Sequence, residues 1–341
     1  MQATYSIETR YKRERYTWHV KMDFTQQKPL RVFHYYLCTR YARRWEIYML
    51  NLKNLKNPVW SRSDNLRDPS VYKTSEGYHL FYSRFSNKDW SKPENWSIGH
   101  VFTKDFVTFE NDRDISPKGY ASPGDVIFWG GRYILPYQSY PEKPTKLCFS
   151  QSEDLIHWSE PEFFMEEAVE LPWNQAKRTI DPTFVVDGDT LHCYFVGTDL
   201  INYSGHTNLV GHAITKDVQL RQWTILTIDE PLIGVGKDAP DGVENVVVIR
   251  QDDEWIMIYS EGLKNQHLAT GTSKDLYAWK FEGKIGIEAQ KWIETRYGAP
   301  FVWKEKDEWL MILMGENAEN ITTFGLLTSA DGVNWRMLPE K

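Results

Sequence analysis

Hydrophobic and polar positions along this 341-residue chain follow one repeated pattern. Each repeat has a short apolar segment, a polar turn such as Ser-Glu-Gly or Gly-Gly, and a second, more strongly apolar segment, which is typical of a β-hairpin. The five hairpins predicted in this way span residues 69–83, 125–139, 182–197, 246–260 and 300–315. Helical periodicity is scarce, with short helical turns expected only near 166–169 and 287–294. The pattern predicts an all-β protein.

A second motif follows each hairpin and consists of Ser or Thr, an Asp two residues later, and an aromatic residue beyond it. Its copies occupy residues 103–109, 152–158, 215–223, 273–279 and 329–335. Ser/Thr-x-Asp favours a tight turn closed by side-chain hydrogen bonds, and the aromatic residue is expected to begin the outermost strand. Successive copies lie roughly 50 to 60 residues apart, which is the period of a propeller blade. We therefore predict four antiparallel strands per repeat and a five-bladed β-propeller.

The first 66 residues do not show this repeat clearly. They contain three strand-like segments and a degenerate copy of the turn motif at residues 54–60. We expect residues 1–66 to supply accessory or ring-closing strands and residues 67–341 to form the propeller domain. The alternative is a six-bladed propeller in which the N-terminal segment forms the additional blade.

Composition and charge narrow the partners. The chain has 15 Trp, 19 Tyr and 16 Phe, side chains that favour strands and also stack on sugar rings. Its formal net charge is -7 without a long basic run, so nucleic acid is not an expected partner. No apolar stretch is long enough to span a membrane. The first residues lack the apolar core of a signal peptide, which predicts a cytoplasmic protein, or a periplasmic or secreted one if the natural chain begins earlier.

The cysteines and histidines do not indicate a metal site. Cys38, Cys148 and Cys193 each lie in an apolar, strand-like run without Cys-x-x-Cys spacing. This arrangement predicts buried thiols and neither a disulfide framework nor a zinc site. The nine histidines show no ligand spacing. We expect no metal and no cofactor.

Acidic residues occur where several predicted inner strands begin. Aligned by their hairpins, the inner strands start at Asp68-Pro69, Ser122-Pro123, Asp181-Pro182, Glu244-Asn245 and Ala299-Pro300. The innermost strands of a propeller line its central channel, so their first residues converge at one mouth. A single Asp-Pro is an ordinary start for a strand, because Pro there needs no ladder donor. Three acids that would repel one another in a shared pocket indicate a function instead.

The chemistry that suits three carboxylates is glycoside hydrolysis. One carboxyl protonates the leaving oxygen, and a second activates water or attacks the anomeric carbon. A third carboxylate raises the pKa of the acid by like-charge repulsion. The sequence has no Gly-x-Ser-x-Gly elbow, phosphate-binding loop or His-Glu-x-x-His motif. The three acids therefore predict a glycosidase.

The chain resembles glycoside hydrolase family 43, which belongs to a clan of five-bladed propellers that also holds family 32. The resemblance extends over about residues 66–339, and its motifs lie at residues 67–71, 122–126, 180–184 and 243–246. The resemblance implies that Asp68 is the general base that activates water and that Glu244 is the general acid. It implies that Asp181 tunes the pKa of Glu244. It also implies inversion of the anomeric centre.

Further residues near these motifs are candidates for contact with the sugar. They are Asp125 and Trp129 after the second inner-strand start, Arg178 before the third, and Arg296 and Tyr297 before the fifth. An arginine beside Asp181 is expected to keep that carboxylate ionised. Trp173 is a candidate platform for a sugar ring.

The leading hypothesis is an inverting, exo-acting enzyme that removes terminal arabinofuranosyl or xylosyl units from plant-type polysaccharides or oligosaccharides. Long insertions at residues 140–146 and 163–178 would wall off one end of the channel, which favours exo action. Three other enzyme activities remain open: a galactofuranosidase, a retaining enzyme of the family 32 type with Asp68 as nucleophile, and a phosphorolytic enzyme that holds phosphate with Arg178 and Arg296. A propeller that binds carbohydrate without catalysis is the alternative outside enzymes.

Overall fold

The protein is described here by a computed structural model that covers residues 2–11, 14–23, 50–86, 89–200, 207–233, 242–262 and 266–341, with side chains from residue 50 onward. The chain divides into two compact units, Met1–Glu46 and Ile47–Lys341. The strand-like segments expected between residues 24 and 49, with Cys38, lie outside the described residues. In the described part of the chain, no helix has the length and apolar character needed to cross a membrane.

The described residues of the first unit form a β-hairpin. Strand β1 (Gln2–Tyr11) pairs antiparallel with β2 (Glu14–Asp23), in a register that places Gln2 opposite Asp23 and Tyr11 opposite Glu14.

The second unit is a β-propeller of five antiparallel sheets, as the repeat predicts. Blade one consists of β3 (Asn65–Lys73), β4 (Tyr78–Phe85), β5 (Trp96–Thr103) and β6 (Phe109–Asp114). Blade two consists of β7 (Tyr120–Ala121), β8 (Ile127–Trp129), β9 (Arg132–Ser139), β10 (Leu147–Ser152) and β11 (Glu162–Phe163). Blade three consists of β12 (Ile180–Asp187), β13 (Thr190–Asp199), β14 (Thr207–Thr215) and β15 (Thr224–Ile225). Blade four consists of β16 (Val243–Gln251), β17 (Glu254–Glu261), β18 (His267–Ser273) and β19 (Trp279–Lys284). Blade five consists of β20 (Arg296–Glu305), β21 (Glu308–Glu316), β22 (Thr322–Ser329) and β23 (Arg336–Met337).

Helical structure in the described residues is limited to four short 3₁₀ segments, Leu52–Asn54, Pro93–Asn95, Glu166–Glu170 and Lys291–Ile293. Two of them coincide with the helical turns expected near residues 166–169 and 287–294. The five-bladed count is confirmed, because each predicted hairpin forms the inner part of one sheet.

The repeated turn motif has the hydrogen bonds predicted for it. In the fourth copy, Ser273 Oγ accepts the N–H groups of Asp275 and Leu276 at 3.2 and 3.0 Å. Asp275 Oδ1 accepts the N–H groups of Tyr277 and Ala278 at 2.8 and 2.9 Å. The copies that begin at Thr103, Ser152 and Ser329 repeat these contacts. The expected aromatic start of the outer strand is found in blades one and four, whereas in the other three blades the aromatic residue precedes the strand.

A hydrophobic cluster fills each interface between neighbouring blades. Cys148 and Cys193 lie inside two of these clusters as free, buried thiols, and burial raises the pKa of both. The ring closes through the segment ahead of β3. Backbone N–H groups of Val59 and Trp60 both donate to Phe324 O in the last blade, at 2.8 and 3.2 Å. The inner strands of the blades therefore surround one axis.

Candidate active site

The inner part of every blade carries one residue with a left-handed backbone. These residues are Asp68, Ser122, Asp181, Asn245 and Ala299, with φ between 50° and 53°. The pairing of β3, β12, β16 and β20 with the next strand shifts register around this residue. Left-handed conformations cost free energy for residues other than glycine. Because the same bend recurs in all five blades, it shapes the mouth of the axial channel as a whole.

This bend corrects the alignment of the inner strands. The residue of blade four that is equivalent to Asp68 and Asp181 is Asn245, and Glu244 lies one position earlier. Glu244 is equivalent to Arg67, since each is the last paired residue before the register shift. The Asp-Pro pairs misled the sequence alignment, because blade four has no proline to mark the bend.

The three predicted acids nevertheless lie in one pocket of about 100 Å³. Asp68 comes from blade one, Asp181 from blade three and Glu244 from blade four. The other lining residues are Arg67, Trp90, Trp96, Ala121, Ser122, Gln138, Tyr140, Arg178, Ile180 and Asn245. Groups distant in sequence thus share one small, mostly polar space at the axis.

Asp68 is held by neutral donors. Its Oδ2 accepts hydrogen bonds from Ser83 Oγ at 2.7 Å and from Ser122 Oγ at 3.3 Å. Its Oδ1 accepts one from Asn245 Nδ2 at 3.4 Å. Ser83 Oγ also accepts the backbone N–H of Ser122 at 2.6 Å, which ties blade one to blade two at this point. The carboxylate of Asp68 therefore has a fixed orientation and no cationic partner in these contacts.

Asp181 is buried with an exposure of 8%. Its backbone N–H donates to Gln138 Oε1 at 2.6 Å, and its Oδ2 accepts the backbone N–H of Asn245 at 3.4 Å. Burial, followed by the charges of Glu244 and Asp68, raises the pKa of Asp181 to about 7. Arg178 acts in the expected direction and lowers the pKa of Asp181, but the opposing effects of burial and of the two carboxyls are larger.

Glu244 is oriented by two side-chain amides. Its Oε1 accepts a hydrogen bond from Asn208 Nδ2, and its Oε2 accepts one from Gln266 Nε2 at 3.5 Å. Asn208 is itself fixed by Thr198 Oγ1, which donates to Asn208 Oδ1 at 2.7 Å. Burial raises the pKa of Glu244, and the charge of Asp68 adds to the effect. Arg178, Arg67 and Arg296 act in the opposite direction. Burial thus increases the proton affinity of Glu244, as it does that of Asp181.

The structure separates the five predicted sugar-contacting residues. Arg178 lines the acid pocket, where its Nη1 lies 3.5 Å from Thr198 Oγ1. Arg296 lies in an adjoining cavity and forms an ion pair with Glu316 at 2.9 Å. Tyr297 is partly buried against the hydrophobic cluster between blades four and five.

The remaining candidates are displaced from the acid pocket. Asp125 lines the narrow axial channel beside it, where burial raises its pKa to about 7. Trp129 is buried between blades two and three, and its Nε1 donates to Asp217 O at 3.4 Å. Trp173 is buried in the same cluster and donates to Thr227 O, so it is not a surface platform. These residues follow the strand away from the mouth or face the interior, which the sequence pattern did not reveal.

Sequence reasoning did not name the residues that form the aromatic wall of the pocket. Phe85, Trp96 and Ala121 form a small buried cluster against which Tyr140 packs, and the rings of Trp96 and Tyr140 lie 4.7 Å apart. Trp90 continues this wall, 5.2 Å from Trp96. Their position in the repeat could have identified them. They lie in or beside connections between strands, at the same ends of the blades as Asp68. In the described part of the chain, no group of three His, Cys, Asp or Glu side chains is arranged to hold a metal ion.

Carboxyl groups from three blades beside an aromatic wall form the kind of site that glycoside hydrolysis requires, and the family comparison assigns the protein to that class, the glycoside hydrolases. The model of the glycosyl hydrolases family 32 N-terminal domain matches residues 115–298, just over half of the chain. The chain therefore belongs to the family of the glycosyl hydrolases family 32 N-terminal domain.

Solved glycosidases share this fold at low sequence identity. An α-L-arabinanase from Cellvibrio cellulosa complexed with arabinohexaose has 15% identity and a TM-score of 0.57, over 77% of this chain and 91% of that chain. A GH43_1 enzyme from Xanthomonas citri complexed with xylose has 11% identity and a TM-score of 0.61, over 84% and 93%. A GH62 α-L-arabinofuranosidase catalytic domain from Coprinopsis cinerea has 14% identity and a TM-score of 0.58, over 80% and 95%. Such identities establish likeness of fold alone.

Proposed function

We propose that the protein is an inverting glycosidase of the family 43 type that removes terminal arabinofuranosyl or xylosyl units from an oligosaccharide or polysaccharide. The observation that carries the proposal is the meeting of Asp68, Asp181 and Glu244 in one pocket from three blades. Separate carboxyl groups for water activation and leaving-group protonation are what glycoside hydrolysis requires. The arabinose- and xylose-related names of the structural neighbours suggest the pentose.

Asp68 is proposed as the general base. Three neutral donors, from Ser83, Ser122 and Asn245, fix its carboxylate without neutralising it. In the reaction, Asp68 takes a proton from water while the water oxygen attacks the anomeric carbon. The C–O bond to the leaving sugar breaks with inversion.

Glu244 is proposed as the general acid, which gives its proton to the leaving oxygen. Its raised pKa favours the protonated form that this role needs. Asp181 is a positioning residue in this mechanism: its Oδ2 accepts the backbone N–H of Asn245, the residue that follows Glu244, and the two carboxyls repel each other when charged. Burial gives Asp181 and Glu244 a high proton affinity, and their mutual repulsion makes the two carboxyls titrate as a pair.

The size of the pocket supports exo action. Clefts that hold drug-sized ligands enclose about 300–1,000 Å³, whereas the described acid pocket encloses about 100 Å³. A single terminal sugar suits such a space better than an internal segment of a long chain. A reducing-end assay on a polymer checks this point, because random internal cleavage would overturn exo action.

The match to the family 32 domain favours one second candidate, a retaining reaction. In that mechanism Asp68 attacks the anomeric carbon directly and water hydrolyses the intermediate. The string Arg67-Asp68-Pro69 is similar to a family 32 motif but lies in the first blade instead of a later one. Proton NMR of the first-formed anomer separates the two mechanisms: the inverted anomer supports our proposal, and the retained anomer supports the second candidate.

The decisive experiment compares the wild type with Glu244→Gln on p-nitrophenyl pentosides and on natural oligosaccharides. Loss of general acid catalysis lowers rates by about 10²–10⁴-fold. We expect a loss of at least about 100-fold on oligosaccharides and a smaller loss on activated aryl glycosides, whose leaving groups need less protonation.

Glu305→Gln is the matched control. Glu305 is also largely buried, but it lies at the hairpin end of β20 and bonds to Lys73 and Tyr78. It should retain wild-type rates. Equal activity of Glu244→Gln and the wild type on oligosaccharides would contradict the role of Glu244. Sugar binding without any product from the wild type would contradict the enzymatic proposal.

A further inference from the structure

A second cavity adjoins the acid pocket and shares Arg67 and Trp90 with it. We call it the arginine subsite. It encloses about 340 Å³, and its other lining residues are Asn65, Phe85, Arg296, Glu316, Asn320 and Thr322. Because the acid pocket suits one terminal sugar, the next unit of the substrate would lie in the arginine subsite.

Arg67 forms the boundary between the two cavities with unused hydrogen-bonding capacity. Its Cζ lies over the Trp90 ring, 4.6 Å from the ring centroid, in a cation–π contact. Its Nη1 is buried and, among the described residues, has no hydrogen-bond partner. Leaving a buried donor unpaired costs free energy. A ligand acceptor at this position would remove that cost.

Arg296 supplies a second guanidinium to the same cavity. Its Nε and Nη2 both contact Glu316 Oε2 at 2.9 Å, which leaves Nη1 outside this ion pair. The other side chains that line the subsite are uncharged. Two arginines and one glutamate give the lining a net positive charge.

We infer that the arginine subsite binds the carboxylate of a uronic acid unit next to the scissile bond. A planar guanidinium matches a carboxylate through two parallel hydrogen bonds, which are stronger than bonds to neutral acceptors. A sugar hydroxyl would accept one of these hydrogen bonds at a time, without the added strength of a charged acceptor. The inference rests on the proposed glycosidase function and makes its substrate a terminal pentosyl unit attached to an acidic saccharide.

The test is equilibrium binding, by calorimetry, of D-glucuronic acid and of its neutral isostere D-glucuronamide. A charge-assisted contact is expected to make the wild type bind the acid at least about tenfold more tightly than the amide. Arg67→Gln should reduce this ratio to about one. The matched control is Arg250→Gln, because Arg250 also stacks on a tryptophan, at 5.0 Å from Trp255, but lies outside both cavities. It should keep the wild-type ratio.

A second variant keeps the inference testable if thermal unfolding shows that Arg67→Gln does not fold. Arg296→Gln combined with Glu316→Gln removes an ion pair as a unit, and it should reduce the ratio several-fold. A wild-type ratio near one, or an unchanged ratio in a folded Arg67→Gln protein, would overturn the inference. Phosphate that competes with glucuronate and is required for turnover would also overturn it, by assigning the arginines to a phosphate acceptor.

The proposed experiment measures binding of glucuronate and glucuronamide and does not depend on turnover. Loss of the acid preference therefore bears on the arginine subsite alone. The effect of Glu244→Gln on neutral pentosides bears on the proposed hydrolysis alone.

Discussion

At the scale of single residues, the acid pocket concentrates groups whose ionisation is costly. Asp181 has little exposure and lies near two other carboxyls, and all three effects act in the same direction on its pKa. Arg178 reduces the shift without cancelling it. The folded state therefore binds a proton at Asp181 more tightly than the unfolded chain does.

This difference predicts a pH-dependent effect of Asp181→Asn on stability. The folded pKa of about 7 is above the ordinary aspartate value of 3.8, so the favourable contribution of Asp181 is present below pH 4 and is lost as the pH rises toward 7. The stability of the variant relative to the wild type should increase over this range, by at most about 4 kcal/mol. Urea unfolding at pH 4.5, 6 and 8 measures it.

Asp275→Asn provides a control of opposite sign. Backbone N–H groups of Ala278 and Tyr277 lower the pKa of Asp275, so the wild type should gain stability relative to this variant as the pH rises through the acid range. A constant difference between Asp181→Asn and the wild type from pH 4.5 to 8 would contradict the raised pKa.

At the scale of elements, the middle strands of blades one and three contain equivalent histidine pairs. His79 Nδ1 and His100 Nε2 lie 2.9 Å apart with stacked rings, and His192 and His212 repeat this geometry. Burial lowers the pKa of His100 and of His212 to about 3, and that of His79 to about 4. The pairs are therefore neutral in the folded protein near pH 7.

The histidine pairs predict acid sensitivity, which His212→Gln should reduce. Because the folded pKa of His212 is depressed, its contribution to stability is present above pH 6.5 and is lost as the pH falls toward 3. For this one residue the loss is at most about 3 kcal/mol at pH 4. Glutamine does not take up a proton in this range, so the variant should lose less stability between pH 7 and 4 than the wild type.

Thermal unfolding over this pH range provides the measurement. His157→Gln is the control, because the side chain of His157 is 87% exposed. If the stability of His212→Gln fell with decreasing pH as steeply as that of the wild type, this account would be contradicted. Lower stability of His212→Gln at pH 7 alone would not, because the variant also loses the stacking of His212 on Tyr194.

At the scale of the whole propeller, one buried asparagine joins the two ends of the ring. Asn57 has no exposed surface, and its side chain both donates to Leu326 O at 3.0 Å and accepts Leu326 N–H at 2.8 Å. Its backbone N–H donates to Pro339 O, and its O accepts the N–H of Lys341. A residue ahead of the first blade is thus hydrogen-bonded to the last blade.

We expect Asn57→Ala to destabilise the propeller by about 1–3 kcal/mol, because it removes the acceptor of the buried Leu326 N–H. Leu326 O keeps the N–H of Leu338 as a partner. The exposed Asn51 makes no side-chain hydrogen bond as a cap, so Asn51→Ala is a matched control that should change stability little. Chemical denaturation of both variants measures the difference. Equal stability of the two would show that this contact does not determine ring closure.

Much of the architecture follows from local sequence. Hydroxyl-x-Asp turns and hairpins are formed by residues close in the chain, so their repetition gave the number of blades. The position of Asp68 and Asp181 at the bends of their inner strands was also predictable, because Pro69 and Pro182 directly follow those bends. The one-residue offset of Glu244 was not, because the bend at Asn245 is a feature of pairing between strands.

The sequence by itself determined which elements form and which three acids are brought to the axis, because turn chemistry and hydrophobic alternation act over a few residues. Tertiary structure alone decided the aromatic wall beside Trp96, the unpaired guanidinium of Arg67 and the raised pKa of Asp181. Each depends on groups from different blades or from their connections. Packing, hydrogen bonding and desolvation depend on the distances between residues that are far apart in the chain. The order of the residues does not specify those distances.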